Sequence, residues 1–322
     1  MSKAMVACAQ QKVEIYSSEE DYKQNVFKLV EEAKERNCRL IAFPEGCGCM
    51  LVPQFLLRGA EDIQSLTEGK DVVEIFFTAI KNHSEELKAS YLGVFSQAAK
   101  EFGIYIVAGS TYLFDEELDG LINVCYAFEP TGKVMGRQVK VNLYLEDAFH
   151  CVPGKKYEIF GTDFMKFGIP ICYEGMFPEV GRIMAFNGAE ALIDVSACPG
   201  KLIQRKCRAG IWSQVQENQV FGMHCCLVGS NDVSKVMTDD YVGESVILAP
   251  IDLTPDLSGI LAKAETVNQE EVITAEWDFD ALHSLWRNSD TKLRKEMNME
   301  VFQKYLPQIY QQAKTIEQSM KG

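Results

Sequence analysis

The chain has 322 residues with 47% hydrophobic and 24% charged side chains, ten prolines and 23 glycines, a balance that excludes disordered, collagen-like and coiled-coil readings. Its formal charge of −14, from 32 Lys+Arg against 46 Asp+Glu, opposes nucleic acid and anionic lipid, whose binding needs basic patches to neutralise phosphate. The opening MSKAMVACAQ lacks the apolar core of a secretion signal and no long uncharged apolar run follows, so a cytoplasmic protein that neither spans nor binds a membrane is expected.

In chain order, Ala4–Ala9 reads as a strand, Asp21–Arg36 as an amphipathic helix and Leu40–Phe43 as a second strand. A helix near Glu85–Phe102 and a strand Ile104–Gly109 continue this α/β grammar. The strands Ile122–Glu129 and Val134–Val141, joined by the turn Pro130-Thr131-Gly132-Lys133, imply a mixed sheet. Further on, Lys166–Cys172 reads as a strand, Phe177–Asn187 as a helix, Ala191–Ser196 as a strand, Ile203–Glu217 as a helix and Phe221–Val228 as a strand. Two segments stand apart: Met50–Ser84, read as a lid touching substrate through Leu51, Val52, Phe55 and Leu56, and Ala281–Gly322, a polar-rich helical tail with apolar residues on helical spacing.

Eleven cysteines is an odd number in a chain too large to need stapling, so most are expected as reduced core thiols. There is no C-x-x-C pair, and no metal site is expected. Cys172 falls at a junction between strand and helix, where free N–H groups and the helix dipole favour thiolate. Of the histidines, His83, His150, His224 and His283, only His150 suits a Cys–His pair. Carboxylate chemistry is the alternative: Glu45 follows an apolar strand directly after Pro44, and Lys140 is a cation in strand-like surroundings, suited to hold an oxyanion.

Phe43-Pro44-Glu45, then Lys140-Val141-Asn142-Leu143, then Ile171-Cys172-Tyr173-Glu174-Gly175-Met176-Phe177-Pro178-Glu179 resemble, in this order, the nitrilase or carbon–nitrogen hydrolase superfamily, in its amidase-like branch. The resemblance implies an α/β fold, a four-layer α-β-β-α sandwich with mixed sheets, over residues 1–290, with 291–322 a C-terminal helical extension. It implies Glu45 as general base, Lys140 as oxyanion cation and Cys172 as nucleophile, with Glu146 as the best match to a second glutamate. Tyr173, through its backbone N–H, and Cys198, in the Ser196-Ala197-Cys198-Pro199-Gly200 segment, are the substrate-binding residues it implies. The activity implied is hydrolysis of a non-peptide C–N bond in a small amide or N-carbamoyl compound through a thioester, with neither metal nor organic cofactor. A nitrilase acting on C≡N, or a non-catalytic relative serving as a binding module, are the alternatives. The partners expected are a small-molecule substrate and further copies of the chain, as a dimer or larger assembly.

Overall fold

The computed structural model describes residues 3–16, 18–57, 71–230 and 240–320. Its strands form two sheets. The first runs β12 (Glu271–Asp278), β1 (Lys3–Lys12), β2 (Leu40–Ala42), β3 (Tyr105–Asp115), β4 (Gly120–Phe128) and β5 (Val134–Val139). The second runs β11 (Ile260–Lys263), β10 (Val246–Leu248), β9 (Phe221–Val228), β8 (Ala191–Ser196), β7 (Lys166–Gly168) and β6 (Ile159–Gly161). They join where Gln11 and Lys12 at the end of β1 pair in parallel with Leu227 and Val228 of β9. Parallel and antiparallel pairs occur in both, as the Pro130–Lys133 turn implied.

Period-two alternation sorts the side chains into three apolar layers. Val6 and Cys8 of β1 face Ile193 and Val195 of β8 between the sheets. Ala7 and Ala9 turn the other way, toward α1 (Glu19–Glu35) and, beyond the short α2 (Pro53–Leu56) and α3 (Val72–Asn82), toward α4 (Ser84–Phe102). After α5 (Glu146–His150), α6 (Pro178–Phe186) and α7 (Gly200–Asn218) cover the far face of the second sheet through Val180, Met184, Ile211 and Val215. The result is the four-layer α-β-β-α sandwich.

Local chemistry explains the boundaries. The Ser18 side chain accepts from the Asp21 N–H at 3.2 Å and caps α1, whose buried Tyr22, Val26, Leu29, Val30 and Ala33 recur on one helical face. β7 stops at Gly168, short of Cys172, because Pro170 has no N–H to donate; only Ile171 regains a single bridge, to Val195. β6, β10, β11 and β12 were not among the strands expected.

The segment after Met50 departs from expectation. Leu51 and Val52 are core residues, Phe55 stacks on His83 with ring centroids 5.1 Å apart, and 58–70 lie outside the described residues. Met50, Pro53, Phe76 and Phe77 instead line a cavity shared with Glu45, Lys140 and Cys172. At the C-terminus, α8 (Phe279–Asn288) packs on the core, and Trp286 donates to the Gln219 carbonyl at 2.6 Å with the Arg294 guanidinium over its ring. Trp286 is therefore anchored within its own chain. The short α9 (Leu293–Glu296) leads to α10 (Met299–Met320), whose Val301, Phe302, Tyr305, Leu306 and Ile309 are all exposed, so the tail does not fold back to bury them. Among the described residues, no helix is long and apolar enough to cross a membrane.

Candidate active site

Glu45, Lys140 and Cys172 each stand just past the C-terminal end of a strand, β2, β5 and β7, where open α/β sheets gather their ligands. The turn carrying Glu45 is shaped by its neighbour β3. Gly109 sits at φ +67° in a bulge of that strand, and a Cβ there would come within 2.1 Å of the Pro44 carbonyl oxygen. Only glycine fits. Beside it, the Ser110 N–H donates to that same carbonyl at 3.3 Å and the Ser110 hydroxyl accepts from the Gly46 N–H at 3.2 Å.

The Glu45 carboxylate accepts three hydrogen bonds: from Asn123 Nδ2 at 2.9 Å, Lys140 Nζ at 2.8 Å and the Ala197 N–H at 3.0 Å. Lys140 Nζ also donates to Asp147 Oδ2 at 2.5 Å, and Asp147 accepts from the Tyr112 hydroxyl. One buried ammonium thus lies between two buried carboxylates. Burial raises Glu45 well above the ordinary carboxylate range, and the nearby sulfur of Cys172 and the Asp147 charge push the same way against Lys140. Burial opposes charge on Lys140, but Glu45 and Asp147 outweigh it and hold the ammonium well above the usual lysine value. Two buried carboxylates facing one cation favour uptake of a proton by one of them, the condition for a base.

Cys172 opens a five-residue 3₁₀ turn, Cys172–Met176, at φ +53°, in the left-handed region that a non-glycine residue adopts at a cost of about 1–3 kcal/mol. Such strain at a strand-to-helix turn lifts a nucleophile out toward a cavity. Glu174 holds the turn. Its Oε2 accepts from the Ile171 N–H at 2.9 Å, while Oε1 accepts from the Val141 and Asn142 N–H groups at 2.9 and 3.1 Å. One buried carboxylate therefore ties the Cys172 turn to the segment just after Lys140. The expected thiolate at a helix start is not seen: a hydrogen bond with Cys198 draws the Cys172 thiol down, but the one with Cys207 and burial outweigh it, and the thiol is pushed up to about 11. It rests as S–H and needs a base.

All three residues line one cavity of about 220 Å³, together with Asp147, Tyr112, Tyr144, Ala197 and Tyr241, and apolar Met50, Phe76, Phe77 and Leu227. The Glu146 side chain lies outside the described residues; the carboxylate on Lys140 is that of its neighbour Asp147, which the sequence reading missed. Asp147 carries no motif of its own, and the phase of α5, entered through Leu145 at φ +44°, turns it inward. The Tyr173 ring packs between Tyr144 and Phe177 rather than on the cavity wall. Cys198 is fully buried and does not line the cavity. Nor does His150, which stacks on Phe77.

Comparison with known proteins identifies the family. A family profile for carbon-nitrogen hydrolases matches residues 5–287. Among curated proteins, the chain is 27% identical over 274 residues to a nitrilase of Pyrococcus abyssi, covering 85% of this chain and 89% of that one. It is 25% identical over 273 residues to omega-amidase NIT2-A of Xenopus laevis, covering 79% and 82%. Among solved structures, a carbon-nitrogen hydrolase from Helicobacter pylori G27 superposes with a TM-score of 0.72 at 19% identity, covering 94% of this chain and 97% of that one. Saccharomyces cerevisiae Nit3, of branch 10 of the nitrilase superfamily, does so with a TM-score of 0.68 at 22% identity, covering 92% and 97%. The chain belongs to the carbon-nitrogen hydrolase family and is an enzyme acting on non-peptide C–N bonds.

Proposed function

We propose that the protein is an amidohydrolase in which Cys172 attacks the carbonyl of a small amide or N-carbamoyl compound and Glu45 serves as base in both halves of the reaction. The observation that carries this reading is the Glu45–Lys140–Asp147 arrangement on the cavity shared with Cys172. Glu45 takes the thiol proton as sulfur bonds to the carbonyl carbon. The C–O π electrons move to oxygen, which is met by Lys140 and the Tyr173 N–H. Lys140 has three donors, two of them committed to carboxylates, which leaves one for the oxyanion. On collapse, the C–N bond breaks and the proton on Glu45 passes to the departing nitrogen. Water, deprotonated by Glu45, then cleaves the thioester and the proton returns to sulfur.

The cavity volume favours a small substrate, since pockets for drug-sized ligands run to about 300–1,000 Å³. Among the described lining residues, the cation is Lys140, already between two carboxylates, and Glu14 adds a further negative charge. A substrate without a free carboxylate matches that lining best. Ammonia release from a panel of neutral, cationic and anionic amides, carbamoyl compounds and nitriles tests the reading. Turnover of neutral or cationic amides, lost in Cys172→Ala, supports it; activity confined to nitriles overturns it.

The domain division at 290 and self-association through the C-terminal extension belong to the same proposal. The exposed apolar residues of α10 support both, because a helix bearing them gains by covering them with a second copy.

A further inference from the structure

Behind the cavity wall, the sulfur atoms of Cys172, Cys198 and Cys207 all lie within 4.8 Å of one another, and all three residues are buried. They come from separate elements: the turn Cys172–Met176, the loop after β8, and α7. Their meeting depends on a close approach, since a Cβ on Gly210 of α7 would stand 2.4 Å from the Gly175 carbonyl oxygen of the turn. Glycine there lets α7 press Cys207, one helical turn earlier, against the nucleophile. Hydrolysis as described uses one of these sulfurs and has no task for the other two.

We propose that Cys172, Cys198 and Cys207 form an inhibitory site for a thiophilic metal ion of the Zn²⁺ and Cd²⁺ class, which withdraws Cys172 from catalysis. Zinc–thiolate bonds of about 2.3 Å set sulfurs about 3.7–4.0 Å apart around a trigonal or tetrahedral ion, and the larger Cd²⁺ somewhat farther, both within the 4.8 Å limit observed. Three soft donors select such ions over Mg²⁺ or Ca²⁺, which take oxygen. Because Cys172 lines the cavity, the ion has an entry path and water can complete its coordination. Each sulfur binds as a thiolate, so any that still carries a proton gives it up to solvent and affinity rises with pH. The metal-bound sulfur has its lone pair engaged and no longer attacks a carbonyl. The inhibitory part rests on Cys172 being the nucleophile; the binding part does not.

Cd²⁺ is the probe, added to the reduced full-length chain. Three readings are taken: the Cd–thiolate charge-transfer absorption, whose intensity follows the number of thiolates bound; ammonia release; and alkylation of Cys172 by iodoacetamide. The first equivalent is expected to give a three-thiolate band, to stop turnover and to shield Cys172, all reversed by a chelator. Cys207→Ala is expected to show two thiolates and, measured against its own metal-free turnover, to need at least about 100-fold more Cd²⁺ for inhibition. Cys207→Ser keeps the side-chain size and gives the same readings should the alanine variant fold poorly. A single-thiolate band, or inhibition equally tight in both Cys207 variants, overturns the site. Three-thiolate binding with turnover untouched overturns the inhibitory role, and separately the assignment of Cys172 as nucleophile.

Discussion

Lys140 is where the electrostatics of the site balance. Its ammonium is the cation that Glu45 and Asp147 share, so Lys140→Met leaves two buried carboxylates with no counter-charge. Loss of one partner from a buried ion pair costs about 3–5 kcal/mol. The variant relieves this by holding protons, so its carboxyls titrate higher in the folded than in the unfolded chain. The unfolded state then binds fewer protons, and the variant's stability falls as pH rises through and above the unfolded carboxyl range. Urea midpoints of wild type and Lys140→Met should therefore lie close together near pH 4 and separate by neutrality; a separation independent of pH would contradict the shared-cation account. The raised Glu45 has its own consequence in the native enzyme. In its proposed role as base it works only when ionised, so the acid limb of kcat/KM should fall above the ordinary glutamate value of about 4.3, and a limb at that value would argue against Glu45 as base. Glu45, Lys140 and Cys172 were legible because each sits in a short segment of fixed order. Asp147 was not: in Glu146-Asp147 either acid could face the lysine, and only the phase of a five-residue helix decides which.

At the level of elements, the loops after β2, β5, β7 and β8 converge through hydrogen bonds that no local pattern encodes. Ala197 after β8 donates its N–H to Glu45 at 3.0 Å and accepts from the Cys172 thiol at 3.9 Å through its carbonyl. Gly109 is the point where β3 makes room for the Glu45 turn. Gly109→Ala adds a methyl against the Pro44 carbonyl and strains a left-handed residue, at a cost of about 1–3 kcal/mol. Because the displaced turn carries Glu45, kcat should drop at least about 10-fold with substrate affinity little changed, a split that kinetics on the purified variant would reveal. Unaltered kcat would show that the turn is set by other contacts. The long alternating and helical stretches read well from sequence: β8 and β9 match their expected bounds residue for residue. The short strands β6 and β10 were not legible, since three residues carry too little period to stand out. β12 is longer, but it packs antiparallel beside β1 from the far end of the chain, through Trp277 opposite Ala4 and a stack of Trp277 on Phe221.

For the molecule as a whole, the sandwich and the tail make different demands. The described core closes its apolar layers by itself, whereas α10 exposes Val301, Phe302, Tyr305, Leu306 and Ile309 and touches the sandwich through the Tyr310 hydroxyl on Glu179 at 2.6 Å. If α10 pairs with another copy, ending the chain at residue 298 should lower the mass in solution, as light scattering would read. An unchanged subunit number would place the interface elsewhere. The periodicity of the tail was visible in sequence, but not the direction of its apolar face, which depends on how far α8 and α9 carry it from the core. The proposed function turns on one covalent event, the transfer of an acyl group to a single sulfur among eleven cysteines. The most direct test quenches the enzyme with acid during turnover of an amide it cleaves and maps its peptides by mass spectrometry. The acyl mass should appear on the peptide carrying Cys172 and vanish in Cys172→Ala together with ammonia release, while continued turnover by Cys172→Ala, or an adduct on another residue, would contradict the mechanism.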